Sequence, residues 1–127
     1  MLIDTHCHLT YPELRENVDA ALERARRAGV ERFVTIGTDI PDHANVLARL
    51  RKDPQVFGAL GIHPHHAAQT EEGYEAFLEN RLRTEEKVLA VGECGLDYHY
   101  DYCPKLLQRG VFLNQLEMAR RVRLPVI

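Results

Sequence analysis

Two histidines one residue apart carry the first chemical signal in this chain. Asp4-Thr5-His6-Cys7-His8 follows the apolar start Met1-Leu2-Ile3. Successive side chains of a strand point to opposite faces. His6 and His8 should therefore share one face, about 7 Å apart, with Asp4 two residues earlier on it. Two imidazoles and a carboxylate at a strand end suit Zn²⁺ or a similar divalent ion. By itself His-x-His is a weak motif, equally compatible with ordinary polar residues at a strand terminus. Two more clusters tip that balance. One is His63-Pro64-His65-His66 after Gly61-Ile62; the other is Glu93 and Asp97 within Gly92-Glu93-Cys94-Gly95-Leu96-Asp97-Tyr98.

Each of these residues also has a plain structural reading. His63 and His65 could be loop residues shaped by Pro64, and His66 reads as one. Glu93 sits in a stretch expected to be buried, where a carboxylate needs a partner or a proton. A cation held by His6 and His8 would be such a partner; an Arg or Lys from elsewhere is the alternative. Asp97 is expected to orient a loop or support a ligand rather than bind metal. Cys7 alternates with the two histidines and should face away from them. Cys94 and Cys103 read as packing residues.

The elements that must position these groups alternate regularly. Apolar, β-branched runs predict strands over 1–4, 32–36, 56–60 and 88–91. Between them, Val18, Ala21, Leu22 and Ala25 recur at helical spacing and Gly29 stops the helix. Asp39 is placed to cap a second helix with Pro41 in its first turn and Ala44, Leu47, Ala48 and Leu50 as its apolar face. A third helix is predicted over 71–83 and a fourth over 105–121, its buried side formed by Leu106, Phe112, Leu113, Leu116 and Ala119. Leu124-Pro125-Val126-Ile127 reads as the opening of a fifth strand. Near-continuous apolar strands alternating with helices predict an α/β fold with a buried parallel sheet. All three polar clusters then fall at the carboxyl ends of strands, the face on which such sheets build their sites.

Composition sets outer bounds. The chain has 127 residues, enough for one domain with a core, with 45% hydrophobic and 28% charged residues. A net charge of −3 gives no support for duplex binding by bulk charge, though a locally positive groove stays open. No apolar run approaches the ~20 residues of a membrane span, so no membrane partner is expected. The start lacks the basic flank and apolar core of a signal peptide. Three irregularly spaced cysteines suggest neither a disulfide framework nor a zinc ribbon. A cytoplasmic location is expected on these grounds.

Asp4-Thr5-His6-Cys7-His8-Leu9, Gly61-Ile62-His63-Pro64-His65 and Gly92-Glu93-Cys94-Gly95-Leu96-Asp97-Tyr98 together resemble, in order and spacing, the TatD family of metal-dependent deoxyribonucleases in the amidohydrolase superfamily. Gln108, Phe112, Gln115-Leu116 and Leu124-Pro125-Val126-Ile127 are similar to the family as well. The resemblance implies a TIM-type (α/β)₈ barrel and one or two divalent ions (Mg²⁺, Mn²⁺ or Zn²⁺). It implies His6, His8 and Glu93 as metal ligands, Glu93 bridging two ions. Glu93 and His63 would be catalytic, with His63 and His65 contacting the substrate phosphate. The implied reaction is hydrolysis of a phosphodiester in DNA. A phosphatase, lactonase or amidase of the same superfamily is the alternative.

A barrel of this kind takes about 250 residues. Residues 1–127 would thus be its N-terminal half, with four to five parallel strands. The later ligands of the family, two histidines and an aspartate, would lie beyond Ile127. An isolated half-barrel is expected to expose sheet edges through which it could self-associate. Alone, it could also be an inactive metal-binding chain.

Overall fold

Four short apolar strands and four amphipathic helices alternate along the chain. The computed structural model describes residues 1–127. β1 (Leu2–Cys7) leads to α1 (Val18–Arg27), β2 (Val30–Gly37), α2 (Ile40–Lys52) and β3 (Val56–Leu60). A 3₁₀ helix (Pro64–Gln69) then precedes α3 (Tyr74–Thr84), β4 (Val88–Val91) and α4 (Lys105–Val122). The strands form one parallel sheet in the order β1-β2-β3-β4. Each strand lies beside its predecessor because a helix carries the chain back to the start of the sheet. Val126 adds a parallel bridge to Val91, with Ile127 N–H donating to the Val91 carbonyl at 3.0 Å. The predicted fifth strand is present as this single bridge.

Two apolar layers hold the sheet. On the helix side, Leu22, Val46, Leu47, Leu50, Leu78, Leu82, Met118 and Ala119 pack on Phe33, Val56, Leu60, Val88 and Val91. Ile36 and Ala59 alternate to the other side, and a register shift between the Gly58–Val88 and Ala59–Ala90 pairs brings Ala90 there as well; Val34 and Ile127 join them. Helix ends follow local chemistry. The Asp39 carboxylate accepts from the Asp42 N–H at 2.8 Å and Pro41 sits in the first turn, as expected for α2. Gly29, at φ 94°, makes the left-handed turn from α1 into β2.

Three features depart from the sequence reading. The inward face of α2 is His43, Val46, Leu47 and Leu50, while Ala44 and Ala48 are exposed. The helix turns its bulkier side chains to the sheet, where they bury more apolar area. In α4 the buried side is Gln108, Val111, Gln115, Met118 and Ala119. Leu106 is 81% exposed and Leu113 55% exposed, whereas Phe112 and Leu116 are half-buried. Both glutamines find backbone partners that repay their burial. Finally, residues 64–69 form a 3₁₀ helix, and α3 begins at Tyr74 after a left-handed Gly73 rather than at residue 71.

Candidate metal centre

The three polar clusters meet at the carboxyl ends of β1, β3 and β4. His6 and His8 reach inward from the end of β1, their ring centroids 5.2 Å apart. The Glu93 carboxylate comes from just beyond β4. Its Oε2 lies 3.4 Å from His6 Nε2 and 3.6 Å from His8 Nε2. These separations exceed the 2.7–3.2 Å of ordinary N–H···O hydrogen bonds. Donor atoms at ~2.0–2.2 Å from one shared ion stand roughly 3.3–3.6 Å apart, which matches both His–Glu separations. One ligand atom from each of His6, His8 and Glu93 lies within 4.8 Å of the others. Two borderline imidazoles and one hard carboxylate make a donor set suited to a divalent ion. No Lys or Arg forms an ion pair with Glu93; its carboxylate faces the ring nitrogens of His6, His8 and His63.

Asp4 is not a member of this group. The β1–β2 register matches Asp4 with Phe33 and Cys7 with Thr35, so three steps on β1 answer two on β2. This bulge breaks the regular alternation on which the shared face of Asp4 and His6 depended. The Asp4 carboxylate instead accepts from the His6 backbone N–H at 3.1 Å. Cys7 faces away as expected: its Sγ points to the Val34 carbonyl and packs on the helix-side core. Burial, assisted by Asp4, pushes the Cys7 thiol up to about 12, so it is a neutral packing group. Cys94 is likewise raised, to about 11, by burial and by Glu93. Cys103 is buried among Ile62, Ala67, Tyr74 and Val111.

His63 stands beside the group, with Nε2 3.9 Å from Glu93 Oε1. Its Nδ1 accepts from the His65 backbone N–H at 3.1 Å and caps the 3₁₀ helix. Burial lowers the His63 pKa, against an opposing pull from Glu93. The neutral ring therefore carries its proton on Nε2, aimed at the centre. His65 turns to Asp97, with Nε2 2.7 Å from Oδ2. That hydrogen bond is the main reason the Asp97 carboxyl lies below its usual range. The ionised carboxylate can only accept, so His65 Nε2 donates. Asp97 also accepts from the His99 N–H at 2.9 Å, so it orients a loop as expected. His66 points to Gln69, 3.1 Å away, and to Asp39.

Several supporting residues had not been singled out by their chemistry. Tyr11 stacks on His8 at 4.5 Å. Gln115, fully buried, accepts from the Ile62 N–H at 2.8 Å and donates to the Ile62 carbonyl at 3.0 Å, next to His63. Gln108 grips Asp97 in the same two-handed way. Polar residues at core positions of a helix are the signal that would have exposed both. A surface cleft lined by Ile40, Pro41, Tyr74 and Phe77 among others contains none of the clustered residues.

A model of the family described as "TatD related DNase" matches residues 3–127. The chain belongs to the TatD family. It is similar to the uncharacterised metal-dependent hydrolase YabD of Bacillus subtilis, at 39% identity over 100% of this chain and 49% of YabD. It is also similar to the 3′-5′ ssDNA/RNA exonuclease TatD of Erwinia tasmaniensis, at 32% identity over 98% of this chain and 48% of that protein. The crystal structure of YjjV, a TatD homologue from Escherichia coli K12, superposes with a TM-score of 0.91 at 36% identity. That match covers 98% of this chain and 49% of YjjV. The chain thus spans about half the length of the TatD relatives it matches. Its four parallel strands and intervening helices are the first half of the TIM-type architecture. No helix is long and apolar enough to cross a membrane.

Proposed function

We propose that this chain is the N-terminal, metal-binding half of a barrel hydrolase that cleaves phosphodiester bonds in nucleic acid, with DNA as substrate. One observation carries the reading: His6, His8 and Glu93 present their ligand atoms within 4.8 Å of one another in a TatD-family fold. These three side chains would hold the ion, whether Mg²⁺, Mn²⁺ or Zn²⁺, and Glu93 has a second oxygen free for another. When bound, such an ion lowers the pKa of a water toward neutrality and polarises a phosphoryl oxygen. The protein's own groups do the rest. His63 offers its Nε2–H to a phosphate oxygen without needing a positive charge. His65, oriented by Asp97, supports the substrate beside it. The names of the exonuclease relatives support a nucleic-acid substrate.

The test compares single-stranded DNA, a phosphomonoester, a lactone and an amide with Mn²⁺, Mg²⁺ and Zn²⁺. Preferential metal-dependent cleavage of DNA supports the proposal; turnover of another substrate alone selects the phosphatase, lactonase or amidase reading. A cytoplasmic location belongs to the same proposal and is supported by three free cysteines.

Self-association is a second reading for the isolated chain. β1 is an edge strand, and its Leu2 and Ile3 are 58% and 52% exposed. Open, apolar edges favour pairing with another chain. Light scattering that shows a stable monomer would count against it.

A further inference from the structure

Three tyrosines crowd the loop after Asp97 without entering the core. Tyr98, Tyr100 and Tyr102 are 46%, 49% and 67% exposed. The rings of Tyr100 and Tyr102 stack at 5.2 Å with an interplanar angle of 3°. His65 meets both edge-on, 5.7 Å from Tyr100 and 4.9 Å from Tyr102. Lys105 Nζ lies 5.0 Å over the Tyr98 ring.

The loop is held at both ends by one side chain. Gln108 donates from Nε2 to the carbonyls of Asp97 at 3.0 Å and Cys103 at 2.9 Å. Those residues bracket the tyrosines. Asp97 Oδ1 adds contacts to the N–H groups of His99 and Tyr100. The stack is thus assembled before any partner arrives, which lowers the ordering cost of binding. It is also next to the chemistry. His65 lies 4.4 Å from His63, whose Nε2 is 3.9 Å from Glu93.

We infer that the Tyr100–Tyr102 stack is a docking platform for an unpaired nucleobase of a single strand whose phosphate lies at the His63–Glu93 centre. Exposed aromatic faces on which bases stack hold single strands without reading their sequence, and Lys105 at Tyr98 puts one cation beside the same loop. Bases in a duplex are already stacked on each other and cannot use such a face without being turned out. The inference deepens the nuclease reading and rests on it. It assigns the tyrosines to the base and leaves the phosphate to the histidines.

The experiment measures binding in EDTA, where metal-dependent cleavage is absent. A fluorescein-labelled oligothymidylate is compared by anisotropy with an abasic sugar-phosphate strand of equal length. The wild-type protein should bind the thymidine strand roughly 5- to 150-fold more tightly, the range typical of one stacked base. Tyr102→Ala should abolish that preference, and Tyr102→Phe should retain it. Equal binding of the two strands by wild type overturns the inference. So does a Tyr102→Ala variant that keeps the preference, or that weakens both strands equally. Cleavage with Mn²⁺ is then scored separately. A base preference without cleavage of DNA, alongside hydrolysis of bis(p-nitrophenyl) phosphate, defeats the nuclease reading but not the platform. DNA cleavage without base preference does the reverse.

Discussion

Gln108 holds Asp97 by both of its backbone groups. Its Oε1 accepts from the Asp97 N–H at 2.9 Å and its Nε2 donates to the Asp97 carbonyl at 3.0 Å. The glutamine is 1% exposed, so losing these bonds would strand its amide in the protein interior. Replacing it by Leu should cost about 1–3 kcal/mol, the penalty for stranding buried polar groups. Urea unfolding would measure the loss. The near-UV circular dichroism of the tyrosine loop should weaken with it. Unchanged stability would show that the loop finds other partners.

The Asp97 carboxyl owes its lowered pKa first to His65 and next to backbone N–H groups. His65→Ala should therefore raise it toward the ordinary aspartate value. A carboxyl ¹³C titration reads this directly. No movement would mean that the His99 and Tyr100 N–H groups suffice to hold the anion.

His6→Ala, His8→Ala and Glu93→Gln should each weaken divalent-metal binding at least about tenfold, since even supporting residues of a metal site typically cost that much. Calorimetric titration with Mn²⁺ or Zn²⁺ tests each variant. In the wild type, metal at a hundredfold excess over its Kd should add about 2.7 kcal/mol to folding stability. Binding unaltered by His6→Ala would remove that residue from the centre.

His43 predicts a pH dependence. It is fully buried, with Nε2 2.8 Å from the Gly61 carbonyl and Nδ1 without a partner. Burial lowers its pKa, outweighing the Gly61 bond and the nearby Asp42 and Asp39; Arg81 adds to the lowering. With the folded value below the unfolded one, the unfolded chain takes up the proton first as pH falls. The stability is present above about pH 6.5 and declines below it. His63, also lowered by burial, acts in the same sense. His43→Gln should flatten the decline measured by thermal unfolding between pH 7 and 5, leaving the His63 share. A profile as steep as wild type would assign it elsewhere.

Gly61 marks where β3 and β4 converge on the site. A Cβ there would lie 2.6 Å from Gly92 backbone atoms and 2.8 Å from Gln115 Oε1. Gly61→Ala should destabilise by about 1–3 kcal/mol, as overpacking does. The strand ends carrying His63 and Glu93 should separate, and metal affinity should fall with stability. A variant with wild-type melting behaviour would show that the ends can part freely.

Much of this arrangement was legible along the chain. β3 and β4 lie where their apolar runs placed them, because short apolar runs match strands of a largely buried parallel sheet. The helix-capping role of Asp39 followed from side-chain chemistry alone. The faces of α2 and α4 were not legible in the same way. Leu106 and Leu113 satisfy helical spacing as well as Val111 and Met118 do, and spacing alone cannot say which stripe meets the sheet.

The site divides along the same line. Residue types and their positions at strand ends were enough to nominate His6, His8, His63, His65 and Glu93, because parallel strands bring their carboxyl ends to one side. Strand spacing by itself left Asp4 and Glu93 both open as the carboxylate facing the histidines, and the tertiary structure puts Glu93 there. The β1 bulge turns Asp4 onto the His6 backbone, and a chain separation of more than eighty residues closes to put Glu93 opposite both rings. It also decided that His65 serves Asp97 and that the tyrosines stand stacked and exposed. Local sequence dictates strand, helix and cap through short-range sterics and hydrogen bonds. Contacts between distant segments depend on register and packing, which become definite only once the sheet is formed.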